Sequence, residues 1–430
     1  MAIEEKNYWL GTVTIPAGEN RPLPDSVDVA AVGSGVTGLS AARALAKRGA
    51  GVAVLEAETL GWGASSRNGG MVLTGMKLPV PTLISRYGRE KVQRMYAASL
   101  ASIDCVEQIV RDEKIDCDFS RCGHLEVACK QAHFDGYAES AALIAREFNH
   151  QLRIVAKSEL RNEIGSDIYY GGLVDEVSAG LNPARYVAGL AAAAKRAGAA
   201  LFDHTRVDSV ERESRNGGKF RIRTLKGSLL AREVLLASGA NTGNATPALR
   251  KKIIPIGSYI IATEVLSEDL ARGLSPKNRM IYDSKHFLYY YRLTPDRRML
   301  FGGRAAFFPE TENTVRQSAE ILRRGMIGVY PQLRDTKVEF VWGGTLDFAF
   351  DVMPHTGRVD GLYYAVGYAG HGVAIGTYLG TKECHWARRK SHPRSFNSIP
   401  FPNPPLGLRS GHTWALPLAG AYYKFLDWVS

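Results

Sequence analysis

The sequence has few cysteines, no long apolar stretch and no block of like charge, and each shortage excludes a class of protein. Its five cysteines in 430 residues lack the paired Cys-x-x-Cys spacing of a zinc site, so we expect reduced thiols and no metal. No apolar run approaches the ~20 residues of a membrane helix. The 54 Lys and Arg outnumber the 43 Asp and Glu, but they are scattered. Nucleic acid is therefore not an expected partner, and the net charge of +11 suits an anionic cofactor or substrate.

The two ends of the sequence carry no pattern typical of targeting or anchoring. The first ten residues are acidic and polar rather than typical of a signal peptide, which together with the sparse cysteines predicts a cytoplasmic protein. The tail 391–430 is proline-rich and then aromatic, but it is short and barely basic. We expect it to pack on the body of the protein and not to contact a membrane. The oligomeric state is left open.

The first strong pattern is a strand, a glycine-rich turn, a helix and a second strand. Val27–Val32 is a short apolar run, Leu39–Lys47 is an alanine-rich helical segment, and Gly51–Glu56 is a second buried strand. These elements follow one another within ~30 residues, which predicts a βαβ unit with a parallel sheet.

The turn inside this unit has the spacing of a dinucleotide-binding site. It fits G-x-G-x-x-G through Gly33, Gly35, Val36, Thr37 and Gly38. Gly33 permits a tight turn, Gly35 lets backbone amides approach a pyrophosphate, and Gly38 lets the helix lie close to the strand. Glu56, 18 residues after Gly38, can accept hydrogen bonds from both hydroxyls of a ribose.

Two further glycine-rich segments favour FAD over NAD. The first provides small residues, a hydroxyl and a positive charge through Ala64, Ser65, Arg67, Asn68, Gly69 and Gly70. The second follows the strand Tyr363–Val366 and includes Gly370, His371, Gly372 and Val373. Small residues let the backbone lie against a large planar ligand, and amides at a helix N-terminus suit the negative charge of a reduced flavin.

In this order the motifs resemble the D-amino acid oxidase superfamily of FAD-dependent oxidoreductases, nearest to its glycine/sarcosine oxidase and γ-glutamylputrescine oxidase branch. The resemblance covers nearly the whole chain. It includes Asn182-Pro183, LLASGANT ending at Thr242, YYYRLTPDRRMLFGGR (289–304) and WGGTLDFAFDVMPHTG (342–357).

The resemblance implies a mixed α/β and α+β fold. A Rossmann-type FAD-binding domain is expected at 1–75, 166–249 and 341–390, interleaved with an antiparallel-sheet substrate domain at 76–165 and 250–340. It also implies noncovalent FAD, with Val207 near the adenine and Gly239 among the cofactor contacts. Ala64–Gly70 is expected along the pyrophosphate and flavin, and Gly370–Val373 near the pyrimidine edge of the flavin. The sheet of the substrate domain is expected to present Tyr259 and the Tyr289–Tyr291 strand to the flavin.

Departures from the relatives indicate an amine substrate rather than a plain α-amino acid. Sarcosine oxidases attach flavin to a cysteine, and the position here is near Trp342; they bind the substrate carboxylate with a lysine, and the position here is Ala374. They also activate oxygen with a second lysine, where this chain has Met299–Phe301. Glycine oxidases bind the carboxylate with an arginine, and the position here is near Leu346. The remaining candidates for a carboxylate anchor are Arg292, Arg304, Lys285 and His355.

The resemblance therefore implies hydride transfer to flavin N5 from the carbon of an amine or amino-acid-like substrate, followed by hydrolysis of the imine. Such a reaction depends on positioning and desolvation. The residues expected to shape the pocket are Tyr259, Tyr291, Trp342 and His355, although each also fits a packed core. Three alternatives stay open: a flavin dehydrogenase that passes electrons to a carrier instead of O2, an NAD-dependent dehydrogenase, and a non-catalytic flavoprotein subunit.

Overall fold

The computed structural model of the protein describes residues 3–213, 218–243, 245–303, 314–382, 395–397 and 399–403. Arg304 and most of the predicted tail 391–430 lie outside the described residues. The strands are β1 Ser26–Val32, β2 Val52–Leu55, β3 Met71–Val72, β4 His124–Val127, β5 Arg153–Ala156, β6 Gly171–Asp175, β7 Ala179–Gly180, β8 Ala200–Phe202, β9 Val207–Arg212, β10 Phe220–Thr224, β11 Gly227–Leu236, β12 Ile253–Thr263, β13 Met280–Asp283, β14 Tyr289–Leu293, β15 Met299–Gly303, β16 Val338–Ala349, β17 His355–Val359 and β18 Leu362–Val366. The helices are α1 Val36–Ala46, α2 Val80–Tyr87, α3 Arg89–Glu113, α4 Gln131–Asp135, α5 Tyr137–Phe148, α6 Pro183–Arg196, α7 Pro247–Arg250, α8 Glu268–Leu274, α9 Thr314–Val329 and α10 Gly372–Lys382.

The first sheet is built from distant parts of the chain. Its order is β17-β18-β11-β1-β2-β8, and β9 and β10 extend it from β11. The pairs among β18, β11, β1, β2 and β8 are parallel. A central parallel strand is covered on both faces and so consists of apolar residues. In β1, Val29 and Ala31 pack in one buried cluster while Ala30 packs in another.

The second sheet has the order β16-β12-β15-β14-β13-β4-β6-β5 and is antiparallel except for the β13–β4 pair. The predicted mixture of a Rossmann-type sheet and a second, mainly antiparallel sheet is confirmed.

The sheet pairing differs from the predicted domain boundaries at two strands. Both β6 and β16 pair within the second sheet, whereas the sequence prediction placed β6 and most of β16 in the FAD-binding domain. The resemblance implied those boundaries, and the assignment of domains stays a prediction beside the observed pairing.

The two faces of the second sheet have different surroundings. On one face, Ile261, Phe301 and Val341 form a core with residues of α9, including Leu322 and Met326. Because side chains alternate along a strand, the intervening residues project from the opposite face. That opposite face is the one that positions the site.

Candidate active site

The first glycine-rich turn is tightly packed. A Cβ atom added at Gly38 would lie 2.0 Å from the carbonyl oxygen of Gly33, and one at Gly33 would lie 2.7 Å from the carbonyl oxygen of Ala237. Gly33 also has a φ of 103°, which side chains disfavour. These glycines therefore let α1 begin directly against β1, with Val36 and Thr37 as its first residues.

The structure brings Glu56 and the second glycine-rich loop to this turn. The Glu56 carboxylate accepts hydrogen bonds from the Ser34 N–H at 2.9 Å and the Ser34 hydroxyl at 2.6 Å. The Val36 N–H donates to the Ser65 hydroxyl oxygen at 3.0 Å. A Cβ atom at Gly35 would lie 2.7 Å from that same oxygen. The two segments therefore form one continuous surface.

The third glycine-rich segment joins the first through helix packing. The Thr37 and Tyr368 hydroxyl oxygens lie 2.7 Å apart. A Cβ atom at Gly376 would lie 2.8 Å from the Thr37 hydroxyl oxygen, and one at Gly380 would lie 2.4 Å from the Thr37 carbonyl oxygen. Glycines on α10 thus allow it to cross α1 closely and bring Gly370–Val373 beside the dinucleotide-type turn.

A cavity of about 820 Å³ lies between the second and third glycine-rich segments and the second sheet. Its cofactor-side wall includes Ala64, Arg67, Asn68, Gly69, Gly370, His371 and Val373. Its sheet-side wall includes Glu126, Ile256, Ser258, Tyr282, Tyr290 and Leu346. Because one cavity contacts both sets, it is the candidate active site.

The walls fit a flavin. A Cβ atom at Gly370 would meet nothing within 4 Å, so this glycine faces open space. His371 lines the cavity, and within the described chain its buried Nδ1 atom has no hydrogen-bond partner. Burial, with the nearby charges of Lys77 and His124, lowers the pKa of His371 to about 3. The residues thus present an open backbone and an unpaired neutral imidazole nitrogen.

Tyr259 and Tyr291 do not line the cavity, which corrects their predicted place in the pocket. Both are buried on the α9 side of the sheet. The Tyr291 hydroxyl oxygen lies 2.8 Å from that of Tyr169, and its ring stacks on Phe301 at 5.2 Å. Their neighbours Ser258 and Tyr290 line the cavity instead, with hydroxyl oxygens 3.1 Å apart. The sequence prediction chose the right strands but the wrong face.

Trp342 and His355 are also outside the cavity wall. The Trp342 indole N–H donates to the Arg67 carbonyl at 2.9 Å, so the ring supports the second glycine-rich loop from outside. The His355 ring is buried, stacks on Phe401 at 4.2 Å and lies 2.9 Å from an Asp351 oxygen through Nε2. Both predictions of a pocket-shaping role are corrected, because the Trp342 indole binds the Arg67 carbonyl and the His355 ring contacts Asp351 and Phe401.

The candidate carboxylate anchors are placed differently from one another. Arg292 is buried and donates to the carbonyl oxygens of Leu181 at 3.0 Å and Gly70 at 3.2 Å, so it binds backbone. Lys285 lines the cavity but pairs with Asp283 at 2.8 Å. Several predicted cofactor residues are not among those that line the cavity, and their cofactor contacts stay predictions: Gly33–Gly38, Glu56, Ser65, Gly70, Val207, Gly239 and Gly372.

The residue that sequence reasoning missed is Glu126. It lines the cavity, and the Tyr282 hydroxyl donates to it at 3.4 Å. The same hydroxyl oxygen lies 3.3 Å from His124 Nε2, whose Nδ1 lies 2.8 Å from the Ser178 hydroxyl oxygen. Burial raises the pKa of Glu126. The alternation in β4 held the signal, because Leu125 and Val127 are core residues and Glu126 must face the other way.

Asp347 binds the backbone of the third glycine-rich segment, and its ionisation is expected to make the stability of the protein depend on pH. It is buried, it accepts a hydrogen bond from the Gly367 N–H at 2.7 Å, and burial raises its pKa from 3.8 to about 6. A raised folded-state pKa means that its stabilising contribution is complete below pH ~4 and is lost as the pH rises through ~6. We expect wild type to lose about 1–3 kcal/mol of unfolding free energy relative to Asp347→Asn between pH 4 and 7. Urea unfolding of both proteins across this range tests it, and parallel curves would contradict it.

Comparison with known proteins agrees with a flavin-dependent oxidoreductase. The FAD-dependent oxidoreductase (DAO) family model matches residues 28–382. The chain is 32% identical over 411 residues to the probable oxidoreductase OrdL of Haemophilus influenzae, covering 94% of this chain and 92% of that protein. It is also 32% identical over 408 residues to gamma-glutamylputrescine oxidoreductase of Escherichia coli, covering 93% and 92%. The crystal structure of glycine oxidase from Geobacillus kaustophilus matches with a TM-score of 0.72 at 20% identity, covering 89% and 99%.

The chain therefore belongs to the DAO family of FAD-dependent oxidoreductases. The resemblance drawn from the glycine-rich motifs is confirmed, and so is FAD as the cofactor. This assignment excludes the NAD-dependent alternative. None of the helices in the described ranges has the length and apolar character needed to cross a membrane.

Proposed function

We propose that the protein oxidises the C–N bond of an amine and that Glu126 binds the positive charge of that substrate. The single observation that carries this proposal is a carboxyl group in the cavity wall held by the Tyr282 hydroxyl. A carboxylate taken out of water is costly unless a cation or several donors compensate it. An incoming ammonium group supplies that cation, and transfer of its proton to the Glu126 carboxylate leaves the neutral amine from which the hydride departs.

The other acidic groups of the wall have partners of their own. Asp283 pairs with Lys285 at 2.8 Å. Asp175 lies 2.8 Å from His150 Nε2, and that contact helps lower its pKa to about 2 although burial alone would raise it. Glu126 is thus the carboxyl group of the wall best suited to a ligand. The names of the 32%-identical relatives, which include a gamma-glutamylputrescine oxidoreductase, support an amine as well.

When bound, FAD accepts the hydride that leaves the substrate carbon. The residues proposed to hold it are the predicted ones: Gly33–Gly38, Glu56, Ala64–Gly70 and Gly370–Val373. Noncovalent binding belongs to this proposal, because the position near Trp342 has no cysteine. The apolar part of the sheet face, including Ile256 and Leu346, excludes water from the reacting centre. The Tyr290 and Ser258 hydroxyls are placed to orient the amine.

A cytoplasmic location also stays a proposal. It is supported by the four free cysteines among the described residues, Cys105, Cys117, Cys122 and Cys129.

The test is anaerobic mixing of the FAD-loaded protein with matched substrates while the visible flavin absorption is followed. We expect γ-glutamylputrescine or another primary or secondary amine without a carboxyl group on the reacting carbon to bleach the flavin, and glycine or D-alanine to leave it yellow. Readmitted air then separates an oxidase, which recovers its colour, from a dehydrogenase, which needs a carrier. Bleaching by α-amino acids alone would overturn the amine assignment. A flavin that no substrate bleaches would favour the non-catalytic subunit.

A further inference from the structure

An N-terminal segment lies against the outside of the second glycine-rich loop. Residues 3–12, here called the strap, begin beside β16, where the Glu4 N–H donates to the Glu339 carbonyl at 2.8 Å and the Val341 N–H donates to the Glu4 carbonyl at 2.9 Å. The strap ends near α6, where the Asn182 amide donates to the Thr12 hydroxyl oxygen at 2.9 Å. The family match begins at residue 28, so the strap lies outside it.

The strap and β16 together bind three consecutive carbonyl groups of the loop. The Asn7 amide donates to the Ser66 carbonyl at 2.8 Å. The Trp342 indole N–H donates to the next carbonyl, that of Arg67, at 2.9 Å. The Trp9 indole N–H donates to the one after it, that of Asn68, at 2.9 Å. Three rigid or buried donors thus fix the backbone orientation of three successive residues.

Other contacts complete this support. The Asn68 amide donates to the carbonyls of Ala64 and Ser65 at 3.0 Å each, and Arg292 donates to that of Gly70. Carbonyl oxygens at 64–68 and at 70 therefore accept hydrogen bonds from the protein itself. Meanwhile Ala64, Arg67, Asn68 and Gly69 line the cavity. The loop is held from behind while its other side meets the space where FAD is expected.

The strap donors are set in a packed cluster. Trp9 is fully buried and packs with Trp342, Ile260 and Leu300. Tyr290 of the cavity wall packs against the same cluster. Because both indoles are locked by packing, the positions of their N–H groups are defined before any ligand arrives. Such preorganisation raises affinity by removing the cost of ordering the loop on binding.

We propose that the strap is a positioning element for FAD: Asn7 and Trp9 hold the 64–70 loop in its binding conformation. Without them the loop populates other conformations, and the apparent FAD dissociation constant rises by the inverse of the competent fraction. The inference concerns cofactor affinity and is independent of which amine reacts.

The experiment measures FAD binding to apoprotein by quenching of flavin fluorescence. Trp9→Phe keeps a buried ring and removes the indole donor to the Asn68 carbonyl. Asn7→Ala removes the amide donor to the Ser66 carbonyl. We expect the double variant to bind FAD about tenfold or more weakly, and Trp342→Phe to act in the same direction. The matched control is Tyr8→Phe, because the Tyr8 hydroxyl donates to Asp296 at 2.7 Å and not to the loop.

Urea unfolding of each apoprotein separates this role from a merely structural one. The proposal requires an FAD affinity loss in Trp9→Phe that exceeds that of Tyr8→Phe, together with altered circular dichroism of the bound flavin. If Trp9→Phe lowers apoprotein stability yet binds FAD within about twofold of wild type, the strap only stabilises the fold and the proposal is overturned. If the double variant does not fold, the FAD affinity of Trp9→Phe alone decides between a positioning role and a merely structural one.

Discussion

Replacing Gly38 with alanine is expected to abolish tight FAD binding. The added Cβ atom would lie 2.0 Å from the Gly33 carbonyl oxygen, and the atom in the way belongs to the backbone of the turn itself. To remove this clash, α1 must move away from β1, and that movement costs about 1–3 kcal/mol or more of folding free energy. Because that movement displaces the amides at the start of α1, we expect FAD affinity to fall by about a hundredfold. The measurement is FAD titration of the purified apoprotein.

Gly51→Ala is the matched control for this prediction. It lies in the same βαβ unit, and the nearest atom to its added Cβ, an Asp28 carboxylate oxygen, is at an ordinary contact distance of 3.5 Å. We expect Gly51→Ala to bind FAD within about twofold of wild type. Equal affinity of Gly38→Ala and wild type would show that the turn yields without moving the helix, contrary to the packing described above.

Glu126→Gln is expected to produce the largest loss at the substrate side. Glutamine keeps the shape of the side chain and a partner for the Tyr282 hydroxyl, but it cannot carry a negative charge. Loss of a buried, charge-assisted contact costs about 2–4 kcal/mol, so kcat/KM for an amine should fall by roughly 30- to 1000-fold. FAD content and the visible spectrum should stay unchanged, because Glu126 lies on the sheet side of the cavity.

Two further variants sharpen this prediction. Glu126→Asp retains the charge and should recover part of the activity, which a purely steric role does not predict. Glu139→Gln removes an exposed charge of α5 and serves as the control for net charge. An unchanged kcat/KM in Glu126→Gln would remove Glu126 from substrate binding while leaving the flavin fold intact.

The cofactor side of the site was predictable because its signals are local. Gly33, Gly35 and Gly38 lie within six residues, so their spacing is visible in the sequence, although Gly33 and Gly35 also pack against the distant residues Ala237 and Ser65. The same holds for Ala64–Gly70 and Gly370–Val373, whose composition reflects close backbone packing. The cavity contains parts of both later segments, as the motif order implied.

The substrate side was less predictable because it depends on which face of a sheet is covered. Tyr290 and Tyr291 are adjacent and alike, and only the packing of α9 decides that Tyr291 is core and Tyr290 is wall. The role of Trp342 was missed for a similar reason. Its indole reaches the Arg67 carbonyl, 275 residues earlier in the chain, and no local pattern encodes that contact.

The strand order of the first sheet has a consequence for synthesis on the ribosome. β1 pairs with β2 on one side, but its other neighbour is β11, which ends at Leu236, and β11 in turn pairs with β18. A nascent chain that has emerged only as far as β8 therefore exposes an unpaired edge of its parallel sheet. The helix that closes the cofactor turns, α10, emerges last among the described helices. We therefore expect flavin capture to be a nearly post-translational event, and partly made chains to be prone to aggregation for longer than chains whose cofactor domain is continuous.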